Sequence, residues 1–293
     1  MRKTCLIIGL IFFTCCLSRQ VWAFAVAPAI VEMSGNRGEI LKDTFTLINN
    51  NNTEKTFYFE TLKFEAKDES GSPKFIPYNE DHSELLEWIS FENKTLTVPA
   101  ESFVEVPFLV VIPTDIKSGG YYAAITISDS QLPVDVTVPT IQTQTAVLLF
   151  LNVKGENSEQ AALLDFLGPK ILETTKGTLT YRIQNQGNVY LKPEGTIVLK
   201  DIFGRIVTTT EANPEGNRVL AITTRKIEVP FKGSWAIGPV TAALNLTYGD
   251  EQKELSDSVT IWIIPQKILF ILLTLFIITA TIIVKRKKCV RAK

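Results

Sequence analysis

Through the middle of this chain apolar and polar residues alternate in short runs. In Phe103 to Ile112 one face carries Val104, Val106, Phe108, Val110 and Ile112, the other Phe103, Glu105, Pro107, Leu109 and Val111. Leu179, Tyr181 and Ile183 alternate with Thr180, Arg182 and Gln184, and Val240, Ala242, Leu244, Leu246 and Tyr248 with Thr241, Ala243, Asn245 and Thr247. A period of two is the mark of a half-buried antiparallel strand. Pro107 lacks the N–H a ladder needs, which predicts a sheet edge or a bulge there.

The same pattern predicts seven strands between Phe24 and Val153. They lie near Phe24 to Met33, Ile40 to Ile48, Thr56 to Phe64, Thr95 to Val98, Phe103 to Ile112, Tyr121 to Ser128 and Thr143 to Val153. Turn residues punctuate them at Gly35-Asn36-Arg37-Gly38, Asn49 to Asn52, Pro99-Ala100 and Ser118-Gly119-Gly120. Gly155 to Gln160 is polar and marks a boundary, after which about seven more strands run from Ile171 to Ile263. The fold class expected is all-β: two tandem immunoglobulin-like antiparallel β-sandwiches, residues 24–154 and 163–264, plus one C-terminal transmembrane helix. Residues Ala66 to Ser90 read as a charged insertion holding the single histidine, His82, and a short helix at Ser83 to Ile89.

Two stretches break the alternation. Ile268 to Val284 is seventeen residues without a charge, about 25 Å as a helix against a bilayer core of roughly 30 Å, and predicts a membrane span. Lys285, Arg286, Lys287 and Lys288 follow it, in a basic tail (285–293) that the positive-inside rule places in the cytoplasm. At the other end, Arg2 and Lys3, the apolar Leu6 to Leu17 and Val21-Trp22-Ala23 predict a signal peptide over residues 1–23. The localisation expected is a cell membrane, single-pass, with the β domains extracellular.

Charge and cysteine then change the picture. The chain has 30 basic and 31 acidic residues; ten of the basic ones lie outside Phe24 to Pro265, leaving 20 against 31, a net of −11. That balance excludes nucleic acid as a partner, which needs a basic patch to release counterions. Cys5, Cys15 and Cys16 fall in the signal segment and Cys289 in the tail, so the expected ectodomain has no thiol. A disulfide-free exported protein points to a bacterial surface.

Catalytic chemistry is absent from the pattern. One histidine and no exported cysteine leave neither a Ser-His-Asp nor a Cys-His arrangement, nor the clusters that hold zinc, copper or iron. Asp68-Glu69-Ser70-Gly71 and Glu80-Asp81 lack the spacing of a calcium loop and read as solvated turns. No enzyme activity and no cofactor are expected.

Two local motifs stand out. Pro113 to Ile125 closes one strand, turns on Gly119 and Gly120, and opens the next with Tyr121 and Tyr122, the candidate ligand contacts if those rings face a sugar or a protein. Asn185 to Gly204 reads strand, turn, strand, tight turn, with Gly187, Asn188 and Gly204 as its structural turn residues. Together with the opening Ala27-Pro28-Ala29-Ile30-Val31, these motifs resemble the WxL-interacting protein family of Gram-positive bacteria. The resemblance implies an N-terminal peptidoglycan-binding domain and a C-terminal domain for a secreted or surface protein, ahead of one transmembrane helix.

The function expected is therefore a non-enzymatic, membrane-anchored surface protein binding cell wall or a protein partner. Two alternatives differ in kind. A periplasmic-chaperone-like subunit binder also has two immunoglobulin-like domains in tandem, and a sensor ectodomain would need a membrane partner for output. A sandwich offers a partner either an exposed edge strand or its end loops.

Overall fold

The computed structural model describes residues 24–76, 84–130, 144–267, 270–271 and 274–281. The expected signal peptide, His82 and the basic cluster Lys285 to Lys288 lie outside the described residues. The protein is all-β apart from short helices. Its first half holds β1 (Phe24–Ala27), β2 (Ile30–Gly35), β3 (Ile40–Asn49), β4 (Lys55–Ala66), β5 (Pro73–Ile76), α1 (Glu84–Trp88), β6 (Ile89–Phe91), β7 (Thr95–Val98), β8 (Ser102–Val111), β9 (Gly119–Ser128) and β10 (Gln144–Val153). Its second half holds β11 (Ala161–Leu167), β12 (Ile171–Leu172), β13 (Lys176–Asn185), β14 (Glu194–Asp201), β15 (Ile206–Glu211), β16 (Thr224–Lys232), β17 (Gly238–Tyr248) and β18 (Lys253–Ile263).

Four sheets result, ordered β1-β3-β8-β6, β2-β10-β9-β4-β5 with β7 on β4, β11-β13-β16, and β12-β18-β17-β14-β15. The described residues form two compact units, the first drawn from within 1–63, 77–115 and 122–150 and the second from within 64–76, 116–121 and 151–293. In the first unit the alternation of β8 buries Val106, Phe108 and Val110, and the ring of Phe45 meets Phe59 edge-on at 5.9 Å. β6 covers β8 only at Phe108 to Val110, so Pro107, without an N–H, falls just past the end of that pairing.

The second unit is a sandwich. Leu179, Tyr181 and Ile183 of β13 and Ile227, Val229 and Phe231 of β16 meet Ile197, Leu199, Val240, Ala242, Leu244 and Leu246 of the facing sheet in one buried cluster. These are the faces the two-residue period marks as apolar. Burying such side chains, at roughly 1.5–3 kcal/mol each, is what holds the two layers together.

Each unit ends a central strand on a buried asparagine used in the same way. In β3, Asn49 donates Nδ2–H to the carbonyls of Thr53, Val98 and Pro99, each at 3.0 Å, while its Oδ1 accepts the Asn51 N–H at 3.0 Å. In β13, Asn185 donates to the carbonyls of Val189 at 2.7 Å and Val219 at 3.0 Å, and its Oδ1 accepts the Gly187 N–H at 2.9 Å. One amide thus satisfies a turn of its own chain and a neighbouring segment at once.

The membrane span expected at 268–284 is corrected. Among the described residues no helix is long and apolar enough to cross a membrane. Among the described residues of this stretch helix is seen at 266–267, 270–271 and 274–281. The single-pass membrane localisation, with extracellular domains and a cytoplasmic tail, rested on that span and is corrected with it.

Candidate functional site

The two sequence motifs meet in the second unit. Gly120 donates its N–H to the Asn188 carbonyl at 2.7 Å, and Asn188 Nδ2–H donates to the Ser118 carbonyl at 3.3 Å. On its other side Asn188 accepts the Ser158 N–H at Oδ1 (2.8 Å) and donates its own N–H to the Ser158 carbonyl (3.1 Å). The glycines allow this closeness. A Cβ at Gly187 would stand 2.0 Å from the Ser158 carbonyl oxygen, and one at Gly119, whose φ is +145°, would stand 3.1 Å from that of Asn188. Tyr121 donates its hydroxyl to the Lys117 carbonyl at 2.9 Å, and the Tyr122 ring packs edge-on against Phe150 at 5.6 Å.

Gly204 serves a different turn, between β14 and β15. Asp201 Oδ1 accepts the N–H groups of Phe203 and Arg205, both at 2.9 Å, and its Oδ2 accepts Arg205 Nε–H at 2.7 Å. Burial alone would raise the Asp201 pKa, but the hydrogen bonds from Arg205 and Phe203 outweigh it and hold the carboxyl below its ordinary value.

Neither corner gathers chemistry. Among the described residues no three His, Cys, Asp or Glu side chains come together to hold a metal ion. In the 67–72 turn Asp68 Oδ1 accepts the Ser70 N–H at 2.8 Å, and the Glu69 carboxylate is taken by Arg182. A polar cleft of ≈ 230 Å³ near the β17–β18 turn is lined by Glu159, Tyr190, Lys192, Glu194 and Gln252. Its floor is tied by Glu159, whose Oε2 accepts the Asp250 N–H at 2.8 Å and whose carbonyl accepts Lys253 Nζ–H at 3.0 Å.

The sheet edges of the second unit differ in what covers them. On β16 the Lys226 N–H donates to the Glu69 carbonyl at 2.7 Å, and Pro230 has none to offer. On β15 the Val207 carbonyl accepts both the Ser234 N–H and its hydroxyl. β11 is bulged between Leu163 and Asp165, which twists an edge out of register.

β18 is the exception. It pairs with β17 over its whole length, from Lys253↔Tyr248 to Ile263↔Gly238, without a register shift. Among the described residues its other side pairs in a ladder only with the two residues of β12, at Trp262 and Ile263, while β11 of the facing sheet runs close by. Trp262 and Ile264 donate their N–H groups that way, to the carbonyls of Lys170 and Leu172, so by alternation the N–H groups of Glu254, Ser256, Ser258 and Thr260 point outward too. Ser258 bonds Asp257 Oδ1 at 2.7 Å; the other three meet no backbone acceptor among the described residues.

Beside this edge the core is only partly closed. Leu255 and Val259 of β18 and Ala161 and Leu163 of β11 pack against the buried cluster while remaining half exposed. A row of outward amides next to an apolar seam is what an added strand requires: main-chain partners for its backbone and a surface for alternate side chains. The sequence marks edge addition as a mode of binding without marking this strand, because an edge is a property of a strand's neighbours.

No family model matches the chain, and no curated protein does. Among solved structures it is similar to the class 5 fimbriae chaperone CfaA, with 10% identity, 83% of this chain and 100% of that one covered, and a TM-score of 0.40. It is similar also to a structure of Salmonella enterica SafA pilin in complex with the SafB chaperone (10% identity, 84% and 99% covered, TM-score 0.39) and to the CupB2 chaperone of Pseudomonas aeruginosa (11%, 80% and 98%, 0.37).

Membership of the WxL-interacting family is corrected. No family model matches the chain. Gly119, Gly120, Gly187 and Asn188 are engaged in holding one backbone corner together, a need that unrelated sheets share. The peptidoglycan partner came with that resemblance and is withdrawn with it.

Proposed function

We propose that this chain is a non-catalytic binding protein that holds an extended segment of a polypeptide partner by strand addition, a chaperone-like subunit binder. The open outer edge of β18 from Glu254 to Thr260, lying beside the half-closed seam of Leu255, Val259, Ala161 and Leu163, supports this reading. Tandem immunoglobulin-like sandwiches suit the role, since a rigid sheet presents its edge at little ordering cost.

The test uses the full chain and an end-blocked peptide of about eight alternating threonine and valine residues. Amide exchange is followed residue by residue. Binding at β18 slows the amides of Glu254, Ser256 and Thr260 by roughly tenfold or more, while those of Leu255 and Val259, already bonded to β17, stay as they were. Unchanged exchange at these three amides under millimolar peptide, or protection confined elsewhere, overturns the proposal.

A further inference from the structure

Asp257 stands in the middle of the open edge. By alternation it shares the inward face with Leu255 and Val259, yet it is exposed, and in register it faces the fully buried Leu244 of β17. Its carboxylate turns along the edge to accept the Ser258 N–H at 2.7 Å. Among the described residues no cation pairs with it. The nearest basic residue along the strand, Lys253, is engaged by the Glu251 carboxylate at 3.1 Å and the Glu159 carbonyl at 3.0 Å.

A carboxylate at that place restricts what can be added. An apolar strand laid over the seam would strip water from the charge and give it no partner, which is the expensive way to bury an ion. A second copy of this chain is refused for another reason. An antiparallel pairing of two β18 edges that uses the whole open stretch from Glu254 to Thr260 is centred on Asp257, so it sets the two Asp257 carboxylates face to face. A strand with lysine or arginine at the facing position meets neither penalty. The cation would pair with Asp257 and draw it off Ser258, whose freed N–H then joins the ladder.

Resting on the reading of β18 as a strand acceptor, we infer that Asp257 is its specificity-determining residue, selecting an extended polypeptide segment with alternating apolar side chains and a basic residue opposite Asp257. The net charge of −11 over Phe24 to Pro265 favours a cationic segment in the same sense.

Three end-blocked threonine/valine peptides, carrying Lys, Val or Glu at the central apolar position, test this against the full chain and against Asp257→Asn and Asp257→Lys. For the unaltered chain the Lys peptide binds about tenfold tighter than the Glu peptide, and the preference weakens with added salt. Asp257→Asn, which keeps the size of the side chain, levels the peptides, and Asp257→Lys reverses their order. If Lys and Glu peptides protect Glu254, Ser256 and Thr260 equally in the unaltered chain, the role of Asp257 is overturned and strand addition stands. If no peptide protects those amides, strand addition itself fails, and this inference with it.

Discussion

The guanidinium of Arg182 grips the carboxylate of Glu69 through two hydrogen bonds, Nε to Oε2 at 2.7 Å and Nη2 to Oε1 at 2.5 Å, across 113 residues of sequence. The remaining arm, Nη1, donates to Asp165 Oδ2 at 3.1 Å on the adjacent strand. Glu69 also offers its main-chain carbonyl to the Lys226 N–H. One loop residue is thereby fastened directly to β13 and β16, and through Arg182 to β11, and this accounts for residues 64–76 belonging to the second unit. A fork-shaped guanidinium suits the task, because lysine cannot supply two parallel bonds and a third to another strand.

This relationship is pH-dependent. The hydrogen bond from Arg182 is the largest influence on Glu69 and, with burial opposing it, holds the carboxyl below its ordinary value. A folded-state pKa below the unfolded one gives stability that is fully present above the ordinary glutamate range, about 4.3, and is lost as pH falls through the folded value. The protection factor of the Lys226 amide is therefore constant from neutral pH down to roughly 5 and drops on further acidification. Glu69→Gln lowers that protection at neutral pH toward the level the unaltered chain reaches in acid, and abolishes its acid dependence. Because the side chains of the pair are partly exposed, at 35% and 42%, the global unfolding temperature moves little.

The paired asparagines make a sharper prediction about stability. Asn185→Ala orphans the buried Val189 carbonyl and the Gly187 N–H and leaves the Val219 carbonyl with the Leu191 N–H alone, which costs on the order of 2–4 kcal/mol. Asn185→Asp keeps an acceptor for Gly187 but turns a negative oxygen toward two carbonyls, and is worse than alanine. Asn49 behaves alike in the first unit, with three carbonyls at stake. Denaturant titration of each variant, followed by the unfolding of its own unit, checks the order Asn, Ala, Asp.

Much of this was legible in the chain, and what was not has a physical cause. The strands buried on one face, β8, β13 and β17, announce themselves by period, and Pro107 announces the end of a pairing. β11 has no clean alternation because its bulge resets the period at Leu163 to Asp165. β18 opens on Lys253 and Glu254, ahead of its first apolar residue Leu255, because a strand open to water on one face and one edge can be polar there. Expected strand Phe24 to Met33 divides into β1 and β2, which join different sheets, around Pro28. The clasp of Glu69 and Arg182 and the meeting of Gly120 with Asn188 leave no local signal at all. Each half reads as an ordinary turn or surface charge until its distant partner is placed.

Two glycines singled out in the sequence separate steric need from conformational need. Gly187 has no unusual φ, but its Cβ would lie 2.0 Å from the Ser158 carbonyl oxygen, which belongs to backbone held by Asn188 and cannot withdraw. Gly204 has open space within 4 Å but a φ of +78°, so its need is conformational. Alanine at Gly204 costs about 1–2 kcal/mol, and asparagine, which tolerates the left-handed region, recovers most of that. At Gly187 alanine costs roughly 2–3 kcal/mol or more by forcing the two segments apart, and asparagine, being larger, is worse. Denaturant midpoints of the four variants decide it: rescue by asparagine at Gly204 and deepening of the loss at Gly187 is the expected pattern. Equal behaviour of Gly187→Ala and Gly187→Asn to the unaltered chain would mean that the Ser158–Asn188 corner yields under load, and that it does not hold residues 116–121 to the second unit.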